Sequence, residues 1–375
     1  MIIGVPTEIK PAEFRVAITP VGVRELVAHD HQVIIQSEAG EGSTIHDEEY
    51  RAQGAVIVPT AEDVFSGADL ILKVKEPQAL EIPMLRPGQL LFTYLHLAAY
   101  PRLVEGLLTR NIVGIAYETV QMPDRSLPLL APMSEVAGRM ATQAGAYYLE
   151  KAHRGRGVLL GGVPGVMPAK VVVIGAGIAG TNSAIMAMGL QAIVVALDND
   201  IAKLRNLDLL YGGQILTLAS NQLTIEEQVR DADLVIGSVL VPGASAPKLV
   251  TEDMVRSMKR GSVLVDIAID QGGCFETSRE TTHEDPVYVM HDVVHYAVGN
   301  IPGAVPHTST YALTNATLPY LLTIADEGVR AAVANHPELL PGVNVVGGAI
   351  VNRAVAKSVG RPFEEATAAL AAFVA

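Results

Sequence analysis

The feature that most restricts this chain is the stretch Lys170–Asp198, KVVVIGAGIAGTNSAIMAMGLQAIVVALD, with no charged residue between its two ends. The β-branched run Val171–Ile174 leads into Gly175, Gly177 and Gly180 at G-x-G-x-x-G spacing. A helix-compatible segment then runs to Gly189, and a second β-branched run, Ile193–Leu197, ends on Asp198. A hydropathy window reads such a stretch as a membrane span. Three glycines, a polar Thr181-Asn182-Ser183 centre and β-branched ends fit two buried strands and a buried helix better. Glycines alone are also compatible with bare turns. Strand, glycine loop, helix, strand and acid in this order are what a dinucleotide site requires.

Each residue type has a physical reason to be there. Gly175 permits the tight turn out of the strand, Gly177 lets the backbone approach a pyrophosphate, and Gly180 lets helix and strand pack closely. Unpaired N–H groups at the helix start and the helix dipole favour the anion. Asp198, about 20 residues beyond the loop, is placed to accept hydrogen bonds from a ribose and disfavours a 2′-phosphate. The expected cofactor is therefore NAD(H) rather than NADP(H).

With 375 residues the chain exceeds one ordinary core, so two domains are expected. Its formal net charge of −13, with no Lys/Arg block, argues against a nucleic-acid backbone or an anionic membrane as partner. A single cysteine, Cys274, excludes an internal disulfide framework; no Cys/His cluster has zinc spacing, and no metal site is expected. The amino-terminal MIIGVP enters an apolar strand without the pattern of a secretion signal, which makes the cytoplasm the expected location.

Short apolar runs alternate with helical patterns along the chain, which specifies α/β architecture with mainly parallel sheets. The strands read as 69–74, 90–94 and 112–116 deliver Lys75, His96 and Glu118 at their carboxyl ends. Ligand groups gather at such ends, so Arg15, Lys75 and His96 are able to converge. His96 suits acid/base work near neutral pH, while Arg15 and Lys75 suit a small carboxylate or carbonyl. Asp270 lies in a Gly-flanked loop after a buried strand; it either serves a reacting group or caps a turn. Glu8, Glu118 and Asp292 have no evident role.

A long helix is expected over 133–154 and another over 309–333, with 287–290 the last strand. The nucleotide-type sheet is then complete, so the carboxyl-terminal residues should return to the first domain. The expected domains are a discontinuous substrate domain, 1–132 with 306–375, and an NAD-binding Rossmann domain, 133–305.

The segments GVPTEIKPAEFRVAITP, LKVKEP, TYLHLA, APMSEVAGRMA, GGVPGV, GAGIAGTN, DIAIDQGGCFETSRETTHEDPVY and VGNIPGAVPHTSTYALTNATLPY occur in this order along the chain. Together they resemble the alanine dehydrogenase family, which includes the pyridine nucleotide transhydrogenases. The resemblance implies two Rossmann-like domains flanking a cleft, a homohexamer, and reversible NAD-dependent deamination of L-alanine to pyruvate and ammonium. It implies that Arg15 and Lys75 hold the substrate and that His96 and Asp270 transfer protons. It further implies NAD contacts from Ser134, Ile178, Ala179, Asp198, Lys203, Ser220, Val239, Leu240, Ile267, Ala268, Ile269, Asp270, Arg279, Val298, Gly299, Asn300 and Ile301. Ile301 stands where the family often has Met, an apolar exchange of similar size. Two other readings are a nucleotide-binding transhydrogenase subunit and a catalytically silent NAD-binding protein on the same fold.

Overall fold

A computed structural model describes residues 1–239 and 246–373. The chain divides into two compact units, Met1–Met133 with Val305–Ala375, and Ser134–Ala304. The first unit is therefore discontinuous.

The first unit is built on one sheet whose strands lie in the order Ala349–Ile350, Val343–Val346, Val113–Ala116, Leu90–Thr93, Leu70–Leu72, Ile2–Val5, Gln32–Gln36 and Val56–Val58. The six strands from Ile2–Val5 through Val113–Ala116 pair in parallel, in the doubly wound order that reverses between Ile2–Val5 and Leu70–Leu72. Strands Leu70–Leu72 and Leu90–Thr93 are buried along their whole length, as a sheet covered on both faces demands.

The second unit repeats this order. Its strands run Val287–Met290, Val293–Tyr296, Val263–Asp266, Leu234–Gly237, Lys170–Ile174, Ile193–Asp198 and Ile215–Ala219. All neighbours are parallel except the hairpin Val287–Met290/Val293–Tyr296. The order again reverses beside the first strand, Lys170–Ile174, which puts the glycine loop at the position where such sheets bind ligands. The uncharged stretch is a strand, the helix Ile178–Gly189 and a strand, and no described helix is long and apolar enough to cross a membrane.

Three sequence expectations need correction. The helix expected over 133–154 is Ala131–Tyr148; beyond it the chain folds back, Gly155 donating its N–H to Glu150 O and Gly157 to Leu149 O. A Cβ on Gly155 would stand 2.2 Å from Tyr148 O, so only glycine permits that reversal. The strand at 287–290 is not the last, because His291 and Asp292, at φ 53° and 61°, turn it into a hairpin with Val293–Tyr296. Asp292, without an evident role in the sequence, is thus a turn residue. The helix expected over 309–333 is two helices, Pro306–Glu327 and Val329–Asn335, separated at Gly328 with φ 76° and ψ 153°. The carboxyl-terminal segment, part of the first unit, adds Val343–Val346 and Ala349–Ile350 to its sheet as antiparallel strands.

Candidate active site

In the second unit the three loop glycines separate into distinct roles. Gly175 has φ 103°, closed to ordinary side chains. A Cβ on Gly180 would lie 1.7 Å from Gly175 O, inside the helix–strand contact. A Cβ on Gly177 would meet nothing within 4 Å, so this position faces open space at the start of the helix Ile178–Gly189. That cradle fits a dinucleotide pyrophosphate: at a helix N-terminus, a half-buried glycine with open space where a side chain would stand.

Asp198 is buried and tied to the cradle. Its Oδ2 accepts the Ala176 N–H at 2.7 Å and its Oδ1 the Asp200 N–H at 2.8 Å, with Lys203 Nζ 3.6 Å away. A carboxylate has about four acceptor sites, so ribose hydroxyls still find acceptors there. Ser220 is held next to it by its N–H bond to Asp198 O. Ser134 stands in the first turn of Ala131–Tyr148, whose Gly138 would drive a Cβ to 2.1 Å from Ala179 O. Val239 is half-buried at the end of the described segment, and Leu240 lies outside the described residues.

Asp270 sits in the one-turn helix Ile267–Gln271, capped by Asp266, whose side chain accepts the Ala268 N–H. The buried Asp266 carboxylate also accepts from Cys274 N at 3.0 Å and Ser278 Oγ at 2.5 Å, so one acid organises the whole loop. Asp270 itself is exposed. A Cβ on Gly299 would lie 3.3 Å from its Oδ1 and 2.2 Å from Glu280 Oε1, which puts Asp270 beside the 298–301 loop. Arg279 lies over the Tyr288 ring, 4.2 Å from its centroid. Asn300 takes a left-handed backbone, φ 63°, and its carbonyl is 3.1 Å from His283 Nε2. Ala268, Ile269, Val298 and Ile301 are buried.

In the first unit, adjacent strand ends deliver Arg15, Lys75 and His96. Both cations are buried rather than solvated. His96 is partly exposed, at φ 46°, and its ring stacks on Tyr94 at 5.6 Å with the planes 8° apart. Burial, then the charges of Lys75, Lys10 and Arg15, hold its pKa well below the ordinary 6.5. The imidazole is therefore neutral at neutral pH and fit to accept a proton.

The acids that support these cations gave no periodic signal in the sequence. Glu13 accepts from Arg15 Nε and Nη2, both at 2.6 Å, while Arg15 Nη1 points to Met133 Sδ at 2.9 Å. Burial alone would lower the Arg15 pKa; Glu13 raises it above its usual value. Glu8 accepts the Val74 N–H at 2.6 Å and the Lys75 N–H at 3.3 Å, fixing the backbone that carries Lys75. Its other oxygen takes the fully buried Lys73 Nζ at 2.9 Å, which also pairs with Glu81 at 2.8 Å. The reversal of sheet order beside Ile2–Val5 puts the 7–16 loop where such sheets bind ligands. Glu8, Glu13, Lys10 and Arg15 line a cavity of about 320 Å³.

The model described as alanine dehydrogenase/PNT, N-terminal domain, matches residues 4–137, and that described as alanine dehydrogenase/PNT, C-terminal domain, matches 141–353. The chain is 57% identical to alanine dehydrogenase of Mycolicibacterium smegmatis over 371 residues, covering 99% of this chain and 100% of that protein. A solved L-alanine dehydrogenase superposes with a TM-score of 0.93 at 49% identity, over 96% of this chain and 99% of its own. A transhydrogenase from Sinorhizobium meliloti superposes with a TM-score of 0.81 at 28% identity, over 94% and 100%. With both models matched in order and identity this high along nearly its whole length, the chain belongs to the alanine dehydrogenase/PNT family.

Proposed function

We propose that this protein catalyses the reversible reaction of L-alanine, NAD⁺ and water to pyruvate, ammonium, NADH and a proton. The observation that carries the reading is the convergence of Arg15 and Lys75 on a neutral His96 at neighbouring strand ends. The relatives named alanine dehydrogenase support L-alanine as substrate, and the carboxylate of Asp198 supports NAD over NADP.

Glu13 fixes the plane of the Arg15 guanidinium through Nε and Nη2, and Arg15 anchors the substrate carboxylate. Lys75 orients the amino group in one direction and the carbonyl in the other. NAD⁺ held over the Gly175–Gly180 cradle would supply the hydride acceptor for the substrate α-carbon. Neutral His96 then removes a proton from the water that adds to the imine and returns it to the departing ammonia. Asp270 is the second proton-handling residue of this reading. Gly175, Gly177 and Gly180 shape the pyrophosphate cradle, with Ser134, Ile178, Ala179, Asp198, Lys203, Ser220, Val239, Leu240, Arg279 and the 267–270 and 298–301 loops as its other NAD-binding residues.

The same reading includes a cytoplasmic homohexamer. Leu159, Val163, Val166 and Met167 are exposed on one hairpin-like loop, an apolar patch of the kind that self-association covers. The test of the chemistry is His96→Ala: NADH binding persists and most turnover is lost, whereas near-normal turnover would remove His96 from the mechanism.

A further inference from the structure

His96 occupies the left-handed backbone region, φ 46° and ψ 36°, uncommon for a non-glycine residue although histidine enters it more readily than most, at the start of the one-turn helix Leu97–Ala99. Something must hold it there. The strand Val113–Ala116 lies beside Leu90–Thr93 with Thr93 opposite Ala116, so the turn Tyr117–Thr119 comes level with Leu95 and His96. From that turn the Glu118 carboxylate accepts the His96 N–H at 2.6 Å and the Leu95 N–H at 3.2 Å. The ring is fixed separately: it stacks on Tyr94, whose hydroxyl donates to Leu129 O at 2.5 Å. Two independent anchors, one on the backbone and one on the ring, define where the imidazole nitrogens stand.

We infer that Glu118 is a positioning residue for His96, acting through the reach of its acceptor oxygens rather than through its charge. This rests on His96 being the acid/base of the proposed reaction. The charges that depress the imidazole pKa are those of the cations Lys75, Lys10 and Arg15. Glu118→Gln keeps the length and one acceptor, at the place of Oε1, which reaches His96 N at 2.6 Å and Leu95 N at 3.3 Å, so the pH profile should stay in place. Shortening the side chain by one methylene keeps the charge but withdraws both acceptors from the N–H groups. A displacement of this size in a proton-transferring group costs on the order of 100-fold in rate.

The experiment compares Glu118→Gln, Glu118→Asp, Glu118→Ala and His96→Ala in the full-length enzyme, measuring kcat, KM for NADH, the pH profile and the thermal midpoint. The Asp and Ala variants are expected to lose about 100-fold in kcat with little change in KM for NADH. The Gln variant is expected to recover to within about tenfold of the parent, with the same pH dependence. If the Ala variant fails to fold, the Gln and Asp pair carries the comparison. Turnover in the Asp variant equal to or above that in the Gln variant, or kcat falling only in step with the thermal midpoint, would overturn the inference. Full activity in all Glu118 variants while His96→Ala is dead sinks the role of Glu118 alone. An active His96→Ala enzyme instead sinks the reading of His96, and this inference with it.

Discussion

Glu13 grips Arg15 through two parallel hydrogen bonds of 2.6 Å, and both side chains are buried. Breaking a buried ion pair by removing one partner costs roughly 3–5 kcal/mol. Glu13→Ala should therefore lower stability by about that amount in chemical denaturation. The freed guanidinium also loses its fixed orientation, so KM for pyruvate should rise by roughly tenfold or more, a change of about 1.4 kcal/mol, while KM for NADH stays put. An unchanged KM for pyruvate would mean that Arg15 does not orient the substrate carboxylate.

The pH dependence follows from the charges around His96. Burial and three neighbouring cations depress its pKa below 6.5 in the free enzyme, so the neutral base persists into the acid range and is lost only as pH falls through that lowered value. A bound substrate carboxylate adds negative charge beside Arg15 and Lys75 and offsets part of the depression. The acid limb of kcat should consequently lie at higher pH than the acid limb of kcat/KM, because the first reports the complex and the second the free enzyme. Coincident limbs, or the reverse order, would contradict this arrangement.

The glycine cradle makes a paired prediction. Gly180→Ala puts a methyl 1.7 Å from Gly175 O and must displace the helix from its strand. It should lower both the thermal midpoint and NADH affinity, the latter by at least about tenfold. Gly177→Ala meets no protein atom within 4 Å, so the thermal midpoint should hold while NADH affinity falls. Calorimetric titration with NADH beside a thermal melt separates the two cases.

The nucleotide half of the fold was legible because its signal is local: Gly175 and Gly180 must be glycine for reasons set within a few residues, and Gly177 leaves the space a ligand needs. Arg15, Lys75 and His96 were legible as groups at strand ends. Their supporting acids were not. Lys73 and Glu8 are 65 positions apart and meet only through the parallel pairing of Ile2–Val5 with Leu70–Leu72. No periodicity marks such a buried pair, and a charged residue is by default read as solvated. The strand Val293–Tyr296 escaped because His291-Asp292 supplies its tight turn, where Asn-Gly or Asp-Gly is the usual signal. The segment VNVV before Gly347-Gly348 did carry a hairpin signal, and the structure uses it to extend the first sheet.

The central claim is that a single chain couples an NAD cradle to amino-acid chemistry, and NADH formation by the purified protein tests it most directly. L-alanine with NAD⁺ should be compared with NADP⁺, D-alanine, glycine and L-serine. Turnover mainly with NAD⁺ and L-alanine is the predicted result, carrying the argument from Asp198 and that from Arg15, Lys75 and His96 together. NADH binding without turnover of any amino acid would contradict the account and favour a nucleotide-binding subunit of the transhydrogenase kind.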